Sequence, residues 1–133
     1  KRFGEEIRRS GATPALYMVW PDRSRLAFFP EVKESYRLAA EDVKGELLPA
    51  GEAWVAAWRR DAKLALYGAD GFHPSRLGTY AAAAAILSGL FAVSPQGLKA
   101  RLQLRNGVEY RVDEREARIV LEAVAEVTPR AKP

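Results

Sequence analysis

The sequence predicts an α/β protein with a parallel sheet, on three observations. Residues Ala15–Trp20 (ALYMVW) form a nearly continuous apolar run between Pro14 and Pro21, the pattern of a strand buried on both faces by helices. A short amphipathic segment that stops at Ser10-Gly11 precedes that run, so a helix end leads into a buried strand, which is half of a repeating α/β unit. A second strand candidate, Glu46-Leu47-Leu48-Pro49, then follows another helical segment.

Each element has a local reason. Phe3 and Ile7 are four residues apart and share a helix face, and Gly11 suits the left-handed position that closes a helix. Pro21–Pro30 reads as a loop at the carboxyl end of the first strand. A helix over Val32–Lys44 follows, with Val32, Tyr36, Ala39, Ala40 and Val43 on one face, and Gly45 ends it. Glu52–Arg60 reads as a short helix with Trp54 and Trp58 one turn apart. They suit helix packing or, less simply, a sugar platform. Ser75 is an N-cap residue for a helix running through the Ala81–Ala85 stretch to about Phe91, and Ser94-Pro95 breaks it. Leu98–Leu104 and Val108–Val112 alternate in polarity around Asn106-Gly107, a two-residue turn signal. Asp113 caps a last helix, Glu114–Val127, with Ala117, Val120, Leu121 and Val124 on one face.

Composition narrows the function. The 133 residues suffice for one modest core; 48% are hydrophobic and 29% charged, which fits a globular chain. The net charge is +4 and the pI about 9.6, but basic residues alternate with acids, as in Glu5-Glu6/Arg8-Arg9 and Glu114-Arg115-Glu116. Such mixtures are solvated faces, so a nucleic-acid partner is not expected. The longest apolar run, Tyr80–Phe91, is too short for a membrane span. The absence of cysteine excludes disulfides, zinc-thiolate sites and a cysteine nucleophile. With one histidine a histidine-rich metal site is impossible, and neither metal nor cofactor is expected. No leader-like segment is visible, which says little here, since Lys1 in place of Met leads to the expectation that the natural start lies upstream. A periplasmic or secreted location would then need a signal peptide there.

The chemistry-bearing segment is Asp70-Gly71-Phe72-His73. A carboxylate three residues before an imidazole, in a glycine-containing loop ahead of a helix, can curl back onto one ring nitrogen. That contact sets the tautomer and stabilises the imidazolium formed when the other nitrogen takes a proton. On spacing alone a loop or turn residue is the plainer reading of Asp70, since a lone Asp-x-x-His occurs often by chance. Trp20, Asp22 and Arg23 lie where ligands sit in open α/β sheets and are candidates to line a substrate pocket; core packing and a solvated loop are the plainer explanation for the same three residues. Arg23, Arg25 and Arg76 could meet an anionic substrate.

Asp70-Gly71-Phe72-His73-Pro74-Ser75, followed by Gly78-Thr79-Tyr80, resembles the last conserved block of the SGNH (GDSL-like) hydrolases, where an Asp-x-x-His loop precedes a helix. Leu16–Pro21 and Leu48–Trp54 are similar to segments of a bacterial subgroup, and the resemblance covers about Phe3–Pro95. It implies a three-layer α/β/α sandwich with a parallel sheet, flavodoxin-like in layering. It also implies ester hydrolysis or acyl transfer through a Ser-His-Asp triad, with His73 as base and Asp70 orienting it. The substrate expected is a small ester or acylated carbohydrate.

The departures from the family are specific. No Gly-Asp-Ser or Gly-Asn-Ser motif is present, and none of Ser10, Ser24, Ser35, Ser75, Ser88 and Ser94 is well placed; Ser24 alone follows a strand. The oxyanion-hole blocks are also missing. Residues 1–95 are therefore expected to be the C-terminal part of an SGNH-like domain, incomplete at its amino end and completed by an upstream portion that holds the nucleophile. Residues 96–133 are expected to be a hairpin-helix extension packed on the same domain. The alternative is a non-catalytic module that binds a carbohydrate or acylated ligand.

Overall fold

The structure, a computed structural model, describes residues 2–91 and 93–128; 129–133, the end of the expected extension, lie outside the described residues. The fold is mixed α/β. In chain order it contains α1 (Arg2–Arg9), β1 (Ala15–Tyr17), a 3₁₀ turn (Arg23–Phe28), α2 (Phe29–Val43), β2 (Glu46–Leu48), α3 (Ala50–Arg60) and α4 (Arg76–Phe91). A second 3₁₀ turn (Pro95–Gly97), the strands β3 (Arg101–Gln103) and β4 (Glu109–Arg111), and α5 (Glu114–Val127) complete it.

β1 and β2 pair in parallel with Leu16 opposite Leu47, and α2 is the crossover between them. β3 and β4 pair antiparallel with Leu102 opposite Tyr110, the hairpin that Asn106-Gly107 predicts. Gly107 takes φ +80°, and the Val108 N–H donates to Asn106 Oδ1 at 3.1 Å.

Two local expectations need correction. The run Ala15–Trp20 is not a strand buried on both faces. Pairing in the named strand ends at Tyr17, and Ala15 and Tyr17 are exposed. Among the described residues β2 is the sole strand paired with β1, so the sheet there is two strands wide and the Ala15 and Tyr17 side chains stay exposed. Burial comes just after the strand, where the chain dives toward α3: Met18 and Trp20 are buried. The Met18 N–H donates to the Leu48 carbonyl, and its own carbonyl accepts from the Gly51 N–H, both at 2.9 Å.

Pro21–Pro30 is likewise not simply a loop. Asp22 Oδ1 accepts the Ser24 N–H at 2.8 Å and nucleates the 3₁₀ turn. α2 starts at Phe29 rather than Val32 because Pro30 sits in the first turn, where a missing N–H costs nothing. The apolar face expected of α2 is only partly covered: Ala40 is buried, Val32, Tyr36 and Val43 are half-buried, and Ala39 is exposed. α1 meets α2 not through Phe3, which is exposed, but through Gly4. A Cβ at that glycine would come within 2.9 Å of Val43 Cβ.

The core lies among α3, α4 and α5. Trp54 of α3 is fully buried, with Ala81 and Ala85 of α4 and Val120 and Val124 of α5 in the same cluster. Burying one valine or leucine of this kind contributes on the order of 1.5–3 kcal/mol. The alanines of α4 allow a close approach, and Gly78 extends it. A Cβ at Gly78 would lie 2.1 Å from the Leu66 carbonyl oxygen and 2.5 Å from Trp54 Cζ2, while the Trp54 indole N–H donates to the Gly78 carbonyl at 3.2 Å. Among the described residues no helix is long and apolar enough to cross a membrane.

Candidate active site

The segment before α4 is a loop with a hydrogen-bonded neck. Tyr67 and Pro74 form an isolated antiparallel bridge, and the Gly68 N–H donates to the His73 carbonyl at 2.8 Å. Ser75 closes the neck and caps the helix. Its hydroxyl donates to the Ala65 carbonyl at 2.6 Å and accepts the Gly78 N–H at 3.0 Å.

Inside this neck Gly71 adopts φ +69°, a left-handed conformation that disfavours residues with a Cβ. The turn it makes lets Asp70 Oδ1 accept the N–H groups of both Phe72 and His73 at 3.0 Å. The other carboxylate oxygen, Oδ2, lies 2.6 Å from His73 Nδ1. The backbone thus orients the carboxylate, and the carboxylate orients the imidazole. The His73 hydrogen bond, followed by that of the Phe72 N–H, holds the Asp70 carboxyl down at about 2. An ionised Asp70 requires the proton on Nδ1, which leaves Nε2 as an acceptor. The His73 side chain is 74% exposed, and among the described residues its Nε2 makes no hydrogen bond. This arrangement can take a proton from a hydroxyl brought to Nε2 and stabilise the resulting imidazolium.

Three contacts fasten the loop to the carboxyl end of β1. The Trp20 indole N–H donates to the Phe72 carbonyl at 3.2 Å, the Arg23 N–H donates to the Gly71 carbonyl at 2.9 Å, and the Tyr67 hydroxyl donates to the Pro21 carbonyl. Trp20, Asp22, Arg23, Asp70 and His73 therefore lie in or beside this loop, in different roles, whereas the Arg25 and Arg76 guanidiniums sit over the Phe28 and Tyr110 rings. Asp70 and His73 touch. Trp20 is a core residue, stacked on Trp54 with ring centroids 3.5 Å apart, and reaches the loop only by its N–H. Arg23 is exposed, with its guanidinium 5.2 Å from the Tyr67 ring centroid. Asp22 spends its carboxylate on Ser24, whose hydroxyl and N–H hydrogen bonds lower its pKa.

Sequence reasoning missed Tyr67 and Phe72. Phe72 is exposed and stands edge-on to His73, with centroids 5.0 Å apart; its place between Gly71 and His73 was the available signal. The Trp54 and Trp58 rings meet edge-on at 5.7 Å, as helix packing predicts.

No family model, curated protein or solved structure matches this chain.

Five of the six serine hydroxyls are committed elsewhere. The hydroxyls of Ser10, Ser24, Ser35, Ser75 and Ser94 donate to Ile7, Asp22, Glu31, Ala65 and Gln96 respectively. Ser88 Oγ is buried in α4 and has no hydrogen-bond partner among the described residues. A cavity of about 310 Å³ opens beside Arg23 and Tyr67, and one of about 690 Å³ lies between the base of the hairpin and α5. Neither is lined by Asp70 or His73. Among the described residues no group of three or more His, Asp or Glu side chains could hold a metal ion.

Proposed function

We propose that this chain carries the acid–base half of a Ser-His-Asp hydrolase of the SGNH (GDSL-like) type. It would be an esterase or deacetylase-like enzyme whose nucleophilic serine lies outside residues 1–133. The observation that carries the proposal is the 2.6 Å contact between Asp70 Oδ2 and His73 Nδ1. It is supported by the two backbone N–H groups on Oδ1 and by an accessible Nε2. The parallel β1–β2 pair would belong to a larger sheet in a three-layer α/β/α sandwich.

The chemistry follows from the pair. The serine Oγ attacks the acyl carbon as its proton passes to His73 Nε2. That proton then goes to the alcohol oxygen as the ester C–O bond breaks. A water molecule repeats the sequence, releasing the acid and regenerating the serine. Asp70 stays ionised throughout and stabilises the imidazolium. The substrate class is a small ester or an acylated carbohydrate.

Turnover of 4-nitrophenyl acetate by the full-length polypeptide tests this. His73→Gln should lower kcat by about 10²–10⁴-fold, and Asp70→Asn should lower kcat more than it alters KM. Equal turnover in His73→Gln rejects the proposal.

A second reading is favoured by one observation: no serine hydroxyl in the described chain is hydrogen-bonded to His73. The chain would then be a non-catalytic module that binds a carbohydrate or acylated ligand. The full-length protein would bind an acetylated oligosaccharide without hydrolysing it, and replacing His73 would not abolish binding.

A further inference from the structure

The cavity of about 310 Å³ beside the loop has a chemistry that the Asp70–His73 pair does not use. Its walls are Leu26, Leu64 and Leu66, with the rings of Trp58 and Tyr67, and Arg23 stands at the side. Leu64 and Leu66 are buried, so the floor is the hydrophobic core itself. The polar atoms of both rings are already engaged. The Trp58 indole N–H donates to the Leu64 carbonyl at 3.0 Å, and the Tyr67 hydroxyl donates to the Pro21 carbonyl. The rings therefore offer a ligand mainly apolar surface. Their planes are 28° apart with centroids at 5.7 Å.

Arg23 is the one charged residue lining this cavity among the described residues. No carboxylate pairs with it among the described residues, and Asp22, its neighbour in sequence, is occupied by Ser24. Its guanidinium is instead held against the Tyr67 ring, 5.2 Å from the centroid. Its backbone N–H is fixed to the Gly71 carbonyl. An arginine whose five side-chain N–H groups make no hydrogen bond among the described residues, at the side of an apolar cavity, matches a planar anion that accepts two parallel hydrogen bonds. The volume is near the lower end for ligand pockets, enough for a single ring or a chain of similar bulk; an apolar cavity of about 150 Å³ already accepts benzene.

We infer that this cavity binds a small organic carboxylate with an apolar or aromatic body, the body between Leu26, Leu66 and Trp58 and the carboxylate on Arg23. The site does not involve His73 and stands whether or not the chain belongs to a hydrolase.

Titration of the protein with phenylacetate, followed by two-dimensional ¹H–¹⁵N NMR, tests the inference. The Trp58 indole N–H and the Arg23 and Tyr67 amides should shift together. Uncharged 2-phenylethanol, of similar shape, should bind at least about tenfold more weakly, as expected for loss of a charge-assisted hydrogen bond. Arg23→Met should remove that difference, and Arg23→Lys should keep part of it. His73→Gln should leave phenylacetate binding unchanged, which separates failure here from failure of the hydrolase proposal. Absence of shifts, equal affinity for acid and alcohol in the unsubstituted protein, or shifts confined to the cavity between the base of the hairpin and α5 would overturn it. The acid–alcohol comparison needs no variant, so the inference stays falsifiable even if Arg23→Met does not fold.

Discussion

The indole N–H of Trp20 donates to the carbonyl of Phe72 across 3.2 Å, joining residues 52 positions apart in the chain. One side of the Trp20 ring lies against Trp54 in the core, and its nitrogen holds the loop that carries Asp70 and His73. The position of His73 is therefore tied to core packing and not only to its own loop.

Trp20→Phe removes the hydrogen bond and leaves a gap against Trp54. A loss of about 1–3 kcal/mol is expected in chemical denaturation. The His73 ring resonances should broaden or move in NMR spectra of the folded variant. A variant with unchanged His73 resonances would show that the loop is positioned without this tie.

Two glycines in the same region should respond differently to alanine. At Gly71 the obstacle is conformation. A Cβ would meet only Arg23 Cβ at an ordinary 3.5 Å, but φ is +69°, so Gly71→Ala should cost about 1–2 kcal/mol and Gly71→Asn less. At Gly78 the obstacle is space, since a Cβ there would lie 2.1 Å from the Leu66 carbonyl oxygen and 2.5 Å from Trp54 Cζ2. Gly78→Ala should cost about 3 kcal/mol or more, and Asn should not restore it. Thermal melts of the variants check both.

Acid lability should contain an identifiable share from Asp70. Its folded pKa, about 2, is below its ordinary 3.8, so the ionised carboxylate favours the folded state. The contribution is complete only above about pH 5, declines as pH falls through the ordinary value, and is lost as pH falls through the folded value. The stability difference between the unsubstituted protein and Asp70→Asn should therefore shrink as denaturation is repeated from pH 6 down to pH 2.5. A difference that does not change with pH contradicts the assigned role.

Asp113 caps α5, its carboxylate accepting the N–H groups of Arg115 and Glu116 at 2.9 and 3.0 Å. Because α5 supplies Val120 and Val124 to the shared core, the loss should be global. Asp113→Ala is expected to lower unfolding free energy by about 1 kcal/mol, while Asp113→Ser should recover most of it.

What was legible in the sequence was mostly local. α5 begins at Glu114 and ends at Val127 as its cap and apolar spacing indicate, and the hairpin forms around Asn106-Gly107. The Asp70–His73 contact spans three residues and one glycine, so its spacing predicted it. Elements that depend on distant neighbours were less legible. The run Ala15–Trp20 looks uniformly buried in sequence, yet only Met18 and Trp20 are fully packed, because their neighbours come from α3 and β2. Pro30 resembles a loop residue until its place in the first turn of α2 is known. The bonds from Trp20 and Arg23 to the loop span about 50 residues and leave no periodic trace.

The most direct test of the central claim is labelling of the full-length polypeptide with a fluorophosphonate, which forms a covalent bond only with an activated serine. One serine outside residues 1–133 should be modified, with the rate falling about 10²–10⁴-fold in His73→Gln. No modified serine in the unsubstituted protein, or an undiminished rate in His73→Gln, would contradict the account.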